Sequence, residues 1–249
     1  MYLEVQCSRI LRYDPEMKSA AMESTLRILR QGDWFSRQPP QVHKSLASAG
    51  NIVQYAAGTW IFGETDEATG LFAVLDGFIK GYASFGRNET VLIEYAGPGA
   101  WFGQVSVLKA PRRIATVLAA TDATLLHIPR PELLKLTRAQ PAIWEALAEL
   151  SHLQMHRVIT ALAQTSLPPM ARVAARLASL VPDPVRKGST AAEFNLSQGE
   201  LAELIGLERK TVQRVLKKLN QRGLVTTAYR KIQVLDRRGL RQIEASSLD

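Results

Sequence analysis

The sequence of 249 residues contains one cysteine, Cys7, and no long apolar run. A single thiol cannot form a disulfide within the chain and cannot supply a metal site built from several thiolates. No apolar run approaches the roughly 18 residues that a membrane-spanning helix needs. The first residues also lack a charged leader followed by an apolar segment, the pattern of a secretory signal. These absences predict a soluble, cytoplasmic protein without a membrane partner.

Acidic residues are few in the last third of the chain. Residues 168–249 contain 15 lysines and arginines but 8 aspartates and glutamates, whereas residues 1–167 contain 16 and 15. A basic segment joined to a nearly neutral one is typical of a nucleic-acid-binding module attached to a regulatory domain. The charge alone is equally consistent with a solvated basic face or a patch for a membrane surface, so the order of the residues has to decide.

Short apolar segments separated by glycines characterise residues 51–129. Regularly spaced short strands between turn signals predict an antiparallel sandwich or barrel. Short helices are predicted at residues 22–30 and 40–49. Residues 1–21 show no clear period and are interpreted as a loosely held N-terminal extension.

A long helical pattern starts at Pro141, where proline is well tolerated in a first turn. Its apolar stripe is too wide for one neighbouring element, which indicates that a helix of a second copy covers the remainder. The candidate dimer contacts are Leu147, Leu150, Met155, Val158 and Leu162. The alternative is a helix packed wholly against its own domain. Pro168 and Pro169 interrupt the pattern and mark a candidate hinge.

Residues 196–225 carry the most informative pattern in the chain. Ser197 and Glu200 have the spacing of a capping box at the start of a helix, and Gly206 suits the tight turn that ends it. A second helix over residues 208–220 has an apolar side and a basic side, as a helix in the DNA major groove requires. The candidate DNA contacts are Ser197, Arg209, Lys210, Thr211, Gln213, Arg214 and Lys217. The alternative is a structural helix pair with a solvated basic face.

Residues 223–235 predict two short strands around a basic turn, the wing of a winged helix. The whole order of elements resembles the CRP/FNR superfamily of bacterial transcription regulators. Residues 61–77 match the family's first strand–turn–strand signature. Residues 102–107 and 111–117 match the stretch called the phosphate-binding cassette in members that bind cyclic nucleotides.

The resemblance implies an α+β fold with a jelly-roll-like antiparallel β-roll, a long dimerisation helix and a winged helix-turn-helix. The implied domains are an N-terminal extension (1–21), a cyclic-nucleotide-binding-like sensor domain (22–140), a dimerisation helix (141–167) and a DNA-binding domain (168–249). The resemblance also implies a homodimeric regulator, not an enzyme. Its partners would be near-palindromic double-stranded DNA, a second copy of itself and RNA polymerase.

The cassette departs from the cyclic-AMP-binding pattern at its polar positions. Gln104 stands where the pattern has a glutamate that accepts from the ribose hydroxyl, and Ile114 stands where it has a phosphate-binding serine. The two adenine-contacting positions of the long helix fall at Val158 and Ile159. Arg113 is the remaining phosphate contact. Because these polar contacts are weakened or missing, we expect that ordinary cyclic AMP does not control the protein.

The candidate effector contacts implied by the resemblance are Gly103, Gln104, Val105, Arg113 and Ile114. Two alternatives stay open: a regulator that binds DNA without any effector, and one that responds to another nucleotide such as cyclic di-GMP. The alternative for Arg113 is a leftover basic residue that is exposed or paired to a local carboxylate.

The ligands that other cofactors of the family need can be compared with the cysteines and histidines of this sequence. An iron–sulfur cluster resembling that of FNR needs four thiolates, and one cysteine excludes it within a single chain. His152 and His156 have a spacing that could bind a metal or haem, but lone histidines on such a helix more often have packing or surface roles, so no metal site is predicted. A cupin-type enzyme would need several histidines on strands, where His127 is the only one.

The second helix of the helix-turn-helix also departs from the family pattern. Arg209 and Arg214 match the two arginines that many members place here, whereas Lys210 replaces a glutamate that accepts from cytosine. Lysine cannot accept a hydrogen bond from a base amine and prefers guanine acceptors or phosphate. The usual half-site of the family is therefore not expected.

Overall fold

The computed structural model describes residues 10–11, 18–85, 89–105, 112–181 and 192–247, with side chains from residue 22 onward. Cys7, most of the predicted N-terminal extension and the cassette residues 106–111 lie outside the described residues. The chain divides into two compact units, Met1–Gln154 and Met155–Asp249. The division falls inside the long helix predicted over residues 141–167.

The first unit contains the predicted β-roll. Its strands are β1 (Ile10–Leu11), β2 (Asn51–Tyr55), β3 (Trp60–Phe62), β4 (Gly70–Asp76), β5 (Ile79–Phe85), β6 (Glu89–Ala96), β7 (Trp101–Phe102), β8 (Thr116–Ala119) and β9 (Ala123–Pro129). They form two antiparallel sheets, in the orders β1-β2-β9-β4-β7 and β3-β8-β5-β6. Alternating apolar side chains from both sheets, among them Phe72, Ile79 and Leu125, form one buried cluster.

The helices of the first unit are α1 (Lys18–Leu29), α2 (Asp33–Ser36), α3 (Pro40–Ser48), α4 (Arg130–Ala139) and α5 (Pro141–Ala163), which continues into the second unit. Proline stands in the first turn of α3 and of α4, where its fixed φ suits a helix start and its missing N–H costs nothing. The indole Nε1 of Trp34 in α2 donates a hydrogen bond to the carbonyl of Ala146 in α5 (2.7 Å). This bond anchors the first half of α5 within the unit.

A second buried cluster joins these helices to the sheet that contains β4 and β9. It includes Leu29, Phe35 and Leu133 from the helices and, from α5, Leu147 and Leu150, which are 0% and 4% exposed. The prediction that Leu147 and Leu150 are dimer contacts is wrong. Side chains enclosed by their own domain present no surface to a partner, so this half of the stripe serves the core of the first unit.

The second unit is the predicted winged helix-turn-helix. Its elements are a short 3-10 turn (Gln164–Ser166), α6 (Pro169–Leu180), β10 (Ala192–Phe194), α7 (Gln198–Ile205), α8 (Arg209–Gln221), β11 (Val225–Ala228), β12 (Lys231–Val234) and α9 (Arg237–Ala245). The strands pair antiparallel in the order β10-β12-β11. The fold is therefore α+β, as the sequence predicts. Within the described part of the chain, no helix has both the length and the apolar character needed to cross a membrane.

Candidate functional site

The helix-turn-helix contains the local features that the sequence predicts for it, a capping box at the start of α7 and a glycine at its end. The Oγ of Ser197 accepts a hydrogen bond from the backbone N–H of Glu200 (3.2 Å), and the carboxylate of Glu200 accepts one from the backbone N–H of Ser197 (2.8 Å). This is the predicted capping box. At the other end of α7, Gly206 has a φ of 61°, a left-handed conformation that glycine adopts without the usual penalty of a side chain. The chain can therefore reverse tightly into α8.

Helix α8 has one buried face and one charged face. Val212, Val215, Leu216 and Leu219 are buried. Residues three or four apart in a helix lie on the same face, so Lys210, Arg214, Lys217 and Gln221 form a ridge directly opposite the buried residues. All four are exposed. Helix α8 thus holds its cationic ridge in solvent by burying the opposite side.

The ridge forms one wall of a groove of about 580 Å³. The groove is lined by Gln198, Lys210, Gln213, Arg214, Leu216, Lys217, Asn220, Gln221 and Thr227. The structure therefore brings together four of the predicted DNA contacts, Lys210, Gln213, Arg214 and Lys217. The other three do not line it: Ser197 caps α7, Arg209 is exposed at the first position of α8, and Thr211 is half-buried.

Four polar groove residues are absent from the sequence-based set. Gln221 continues the ridge at the next helical step, and Asn220 lies on the flank of the ridge shared with Gln213, so helical spacing could have found both. Gln198 and Thr227 come from α7 and from the wing strand β11. Their place in the groove depends on how the wing folds back beside α8, and no local pattern indicates it.

The wing is the hairpin of β11 and β12. Ion pairs connect it to its surroundings: the Nζ of Lys231 lies 2.7 Å from the carboxylate of Glu193, and Arg230 lies 3.9 Å from Glu200. Tyr229, at the turn, is 90% exposed. The wing therefore places an aromatic ring and two basic residues at the edge of the unit that carries the groove.

The second half of α5 belongs to this unit and is apolar where it faces solvent. Met155, Val158, Ile159 and Leu162 are all exposed, and Leu162 is 69% exposed. Their spacing of three and four residues places them along one stripe of the helix. Three of the predicted dimer contacts, Met155, Val158 and Leu162, therefore lie on a surface that a second helix could cover.

Comparisons with known proteins agree with this architecture. Residues 52–140 match the cyclic nucleotide-binding domain family, and residues 171–243 match the Crp-like helix-turn-helix domain family. The transcriptional regulator SdrP from Thermus thermophilus is 31% identical over 213 residues, which cover 83% of this chain and 96% of SdrP. The chain belongs to the CRP/FNR family of transcription regulators.

Two further CRP/FNR comparisons extend over most of the chain. The cyclic AMP receptor protein of Thermus thermophilus is 30% identical over 190 residues, covering 76% of this chain and 86% of that protein. The structure of FixK2 from Bradyrhizobium japonicum superposes with a TM-score of 0.68 and 19% identity, covering 78% of this chain and 97% of that structure. The latter similarity shows the common fold.

The cassette lies within the matched cyclic nucleotide-binding domain, and its Arg113 is turned into the protein. Its guanidinium donates hydrogen bonds to the carbonyls of Gly103 (3.0 Å) and Gly70 (2.8 Å). It lies over the ring of Phe62, 4.1 Å from the ring centre, a cation–π contact. Burial lowers the pKa of Arg113 to about 10, against a smaller opposing effect of Asp66.

The geometry excludes both forms of the alternative for Arg113, an exposed residue and a residue paired to a local carboxylate, and its contact with an effector stays a prediction. The guanidinium is buried, so it is not an exposed remnant. Among the described residues, the guanidinium binds the two carbonyls and the Oγ1 of Thr69 (3.4 Å) and forms no ion pair with a carboxylate. Gly103 has a φ of 91°, and a Cβ there would stand 2.6 Å from the guanidinium, so a glycine is required for this approach.

Gln104, next to Gly103, is also turned inward. It is 1% exposed, and its amide nitrogen donates to the Oε1 of Gln154 in α5 (2.5 Å). The amide nitrogen of Gln154 in turn donates to the carbonyl of Trp101 (2.9 Å). The remaining predicted effector contacts, Val105 and Ile114, are apolar side chains exposed to solvent. The two terminal nitrogens of Arg113 and the amide nitrogen of Gln104 thus bind groups of the protein itself, whereas the buried Nε of Arg113 has no hydrogen-bond partner among the described residues.

The histidines do not converge on a metal site within the described residues, which hold no group of three or more histidine, cysteine, aspartate or glutamate side chains suited to one. His152 and His156 are exposed on α5. His127, on β9, stacks against Phe72 with ring centres 4.4 Å apart. Burial lowers the pKa of His127, a hydrogen bond that its ring donates to the backbone of Thr69 opposes this, and the charge of Arg113 lowers it further.

Proposed function

We propose that this CRP/FNR regulator is a homodimer that binds near-palindromic double-stranded DNA in the cytoplasm and is not controlled by ordinary cyclic AMP. The observation that carries the DNA-binding part is the groove beside α8. Lys210, Arg214 and Lys217 line it without an ion-pair partner among the described residues. Cations held in solvent on the exposed face of a helix suit the phosphates and base edges of a major groove.

The dimer is supported by the exposed stripe of α5. Met155, Val158, Ile159 and Leu162 would lose water contact if the same stripe of a second copy packed against them, as in a coiled coil. A two-fold dimer would present two copies of α8 to successive major grooves, about 34 Å apart on one face of the DNA. RNA polymerase is a further proposed partner, because a regulator of transcription acts on the polymerase.

The independence from cyclic AMP is supported by the inward positions of Arg113 and Gln104. A cyclic phosphate would have to take the guanidinium of Arg113 away from two carbonyls and from the ring of Phe62. A ribose hydroxyl would have to reach Gln104, which is 1% exposed and whose amide nitrogen already donates to Gln154. Ile114, at the serine position of the pattern, offers no hydrogen bond in return. Binding would therefore leave the carbonyls of Gly70 and Gly103 without the donor they have now.

These internal bonds favour a regulator that binds DNA without an effector over one controlled by another nucleotide. Two hydrogen bonds, from Gln104 to Gln154 and from Gln154 to the carbonyl of Trp101, already connect the cassette to α5. Control by cyclic di-GMP is the second candidate.

The test follows operator affinity during effector titration. A preferred DNA site is first selected from a random duplex library, and the affinity of the purified protein for it is measured by fluorescence anisotropy. Cyclic AMP, cyclic GMP and cyclic di-GMP are then added separately. We expect specific binding without effector and no change on addition. A large increase with cyclic AMP would overturn the independence from this effector. An increase with cyclic di-GMP alone would favour the second candidate, and failure to select any site would overturn the DNA-binding assignment.

A further inference from the structure

The groove beside α8 lacks acidic side chains among its described lining residues. Its polar members are three lysine or arginine residues, four amides and one threonine. The carboxylate nearest in sequence to Lys210 is that of Glu208, which directly precedes α8 and does not line the groove. This matters for base recognition because each base offers a different set of donors and acceptors.

The chemistry of the major groove decides what such a surface can read. Guanine presents two acceptors there, N7 and O6, and lysine or arginine binds them well. Cytosine presents an amino donor, which a glutamate or aspartate accepts. Amide side chains suit adenine, which presents one donor and one acceptor. A groove with cationic donors and no carboxylate therefore favours guanine over cytosine on the strand it contacts.

Lys210 is the residue on which this choice depends most. It is the first member of the ridge that continues through Arg214 and Lys217, it is exposed, and no carboxylate of the described residues is paired to it. Residues in the first turns of a recognition helix are those that reach base edges, whereas later turns run toward the backbone. A neutralising partner would have weakened its preference for acceptors, and none is present in that part of the structure.

We infer that Lys210 is a specificity-determining residue that selects guanine at one position of each half-site. The inference rests on the proposed DNA binding and adds the base class that the protein reads. A cytosine at that position would bring its amino donor against the ammonium group, which has no acceptor to offer. The choice of base therefore follows from the type of side chain at residue 210.

The experiment compares selected DNA sites between variants. The wild-type protein, Lys210→Glu, Lys210→Met and Lys218→Glu are each used to select duplexes from a library with random half-sites. Lys218 is the matched control because it is exposed on the same helix and does not line the groove. Circular dichroism and thermal unfolding establish that each variant is folded before selection.

The expected result is guanine at one half-site position for the wild type and cytosine at the same position for Lys210→Glu. The preference should be at least about tenfold, and the other positions should not change. Lys210→Met should show no base preference at that position. Lys218→Glu should bind all sites more weakly but select the wild-type sequence.

Two results would overturn the inference without touching the proposed function: a wild-type site that has no guanine sensitive to residue 210, or the same selected sequence for wild type and Lys210→Met. If Lys210→Glu is too weak to select any duplex, the Lys210→Met selection alone decides. If the wild type itself selects no sequence, the proposed DNA-binding function is what fails.

Discussion

The side-chain amide of Gln104 donates a hydrogen bond to the side-chain oxygen of Gln154, 50 residues further along the chain, at 2.5 Å. Gln104 belongs to the cassette and Gln154 to α5, the helix that continues into the second unit. The position that binds ribose in the cyclic-AMP pattern is thus occupied by a bond within the protein. This one contact connects the chemistry of the sensor domain with the helix that carries the proposed dimer surface.

Replacing Gln104 by leucine should destabilise the first unit. The Oε1 of Gln154, a half-buried residue, would lose its donor, and the net loss of one such hydrogen bond costs about 1 kcal/mol. Because Gln104→Leu and Gln154→Leu remove the same bond, the double variant should be destabilised by less than the sum of the two. Chemical denaturation measures this, and Gln54→Leu, at an exposed position of β2, is the control. Strictly additive effects would show that the two amides are not coupled.

Acid should destabilise the β-roll through His127. Burial holds its pKa below the ordinary value of 6.5 in the folded chain. As the pH falls through 6.5, the unfolded chain takes up a proton that the folded chain resists, so the free energy of unfolding decreases. At higher pH both states are neutral at this group and the penalty is absent.

Urea denaturation between pH 5 and pH 8 tests this. The wild type should lose stability toward pH 5, and His127→Gln should lose less over the same interval. His152→Gln, at an exposed position of α5, is the control and should follow the wild type. An equal pH dependence in wild type and His127→Gln would exclude His127 as the cause.

A charge in the exposed stripe of α5 should disrupt the proposed dimer. Val158→Glu would place a carboxylate in the apolar surface shared by two copies, where it would lose water without gaining a partner. Sedimentation velocity should show a monomer and a large loss of affinity for the full palindrome. Thr160→Glu, exposed but away from this stripe, should remain dimeric. A monomeric wild type would contradict the dimer itself.

Removing Arg214 should abolish sequence preference more completely than removing Arg209. Arg214 lines the groove in the middle of the cationic ridge, whereas Arg209 lies outside the lining residues. Loss of a bidentate contact to guanine costs about 1–3 kcal/mol of discrimination. Competition between the selected site and random duplex measures it. Specific binding that survives Arg214→Ala unchanged would show that the groove is not the reading surface.

The sequence by itself determined the helix-turn-helix and the general course of the β-roll. The cap of Ser197 with Glu200, the left-handed Gly206 and the two faces of α8 are local features, which depend on neighbours within a few residues. Such features can be recognised in the sequence without knowledge of contacts between distant residues. The strand-rich region was equally recognisable, because glycine-punctuated apolar segments favour short strands wherever they pack.

Only the tertiary structure decided which apolar groups are buried and which polar groups are hydrogen-bonded within the protein. Leu147 and Leu162 both belong to the apolar stripe predicted for the long helix, yet Leu147 is enclosed by its own domain and Leu162 is exposed. Arg113 has the position of a phosphate ligand, yet carbonyls from Gly70 and Gly103 bind it inside the protein. Burial and hydrogen bonding depend on residues far apart in the chain, whereas periodicity records only the face of an element on which a side chain lies.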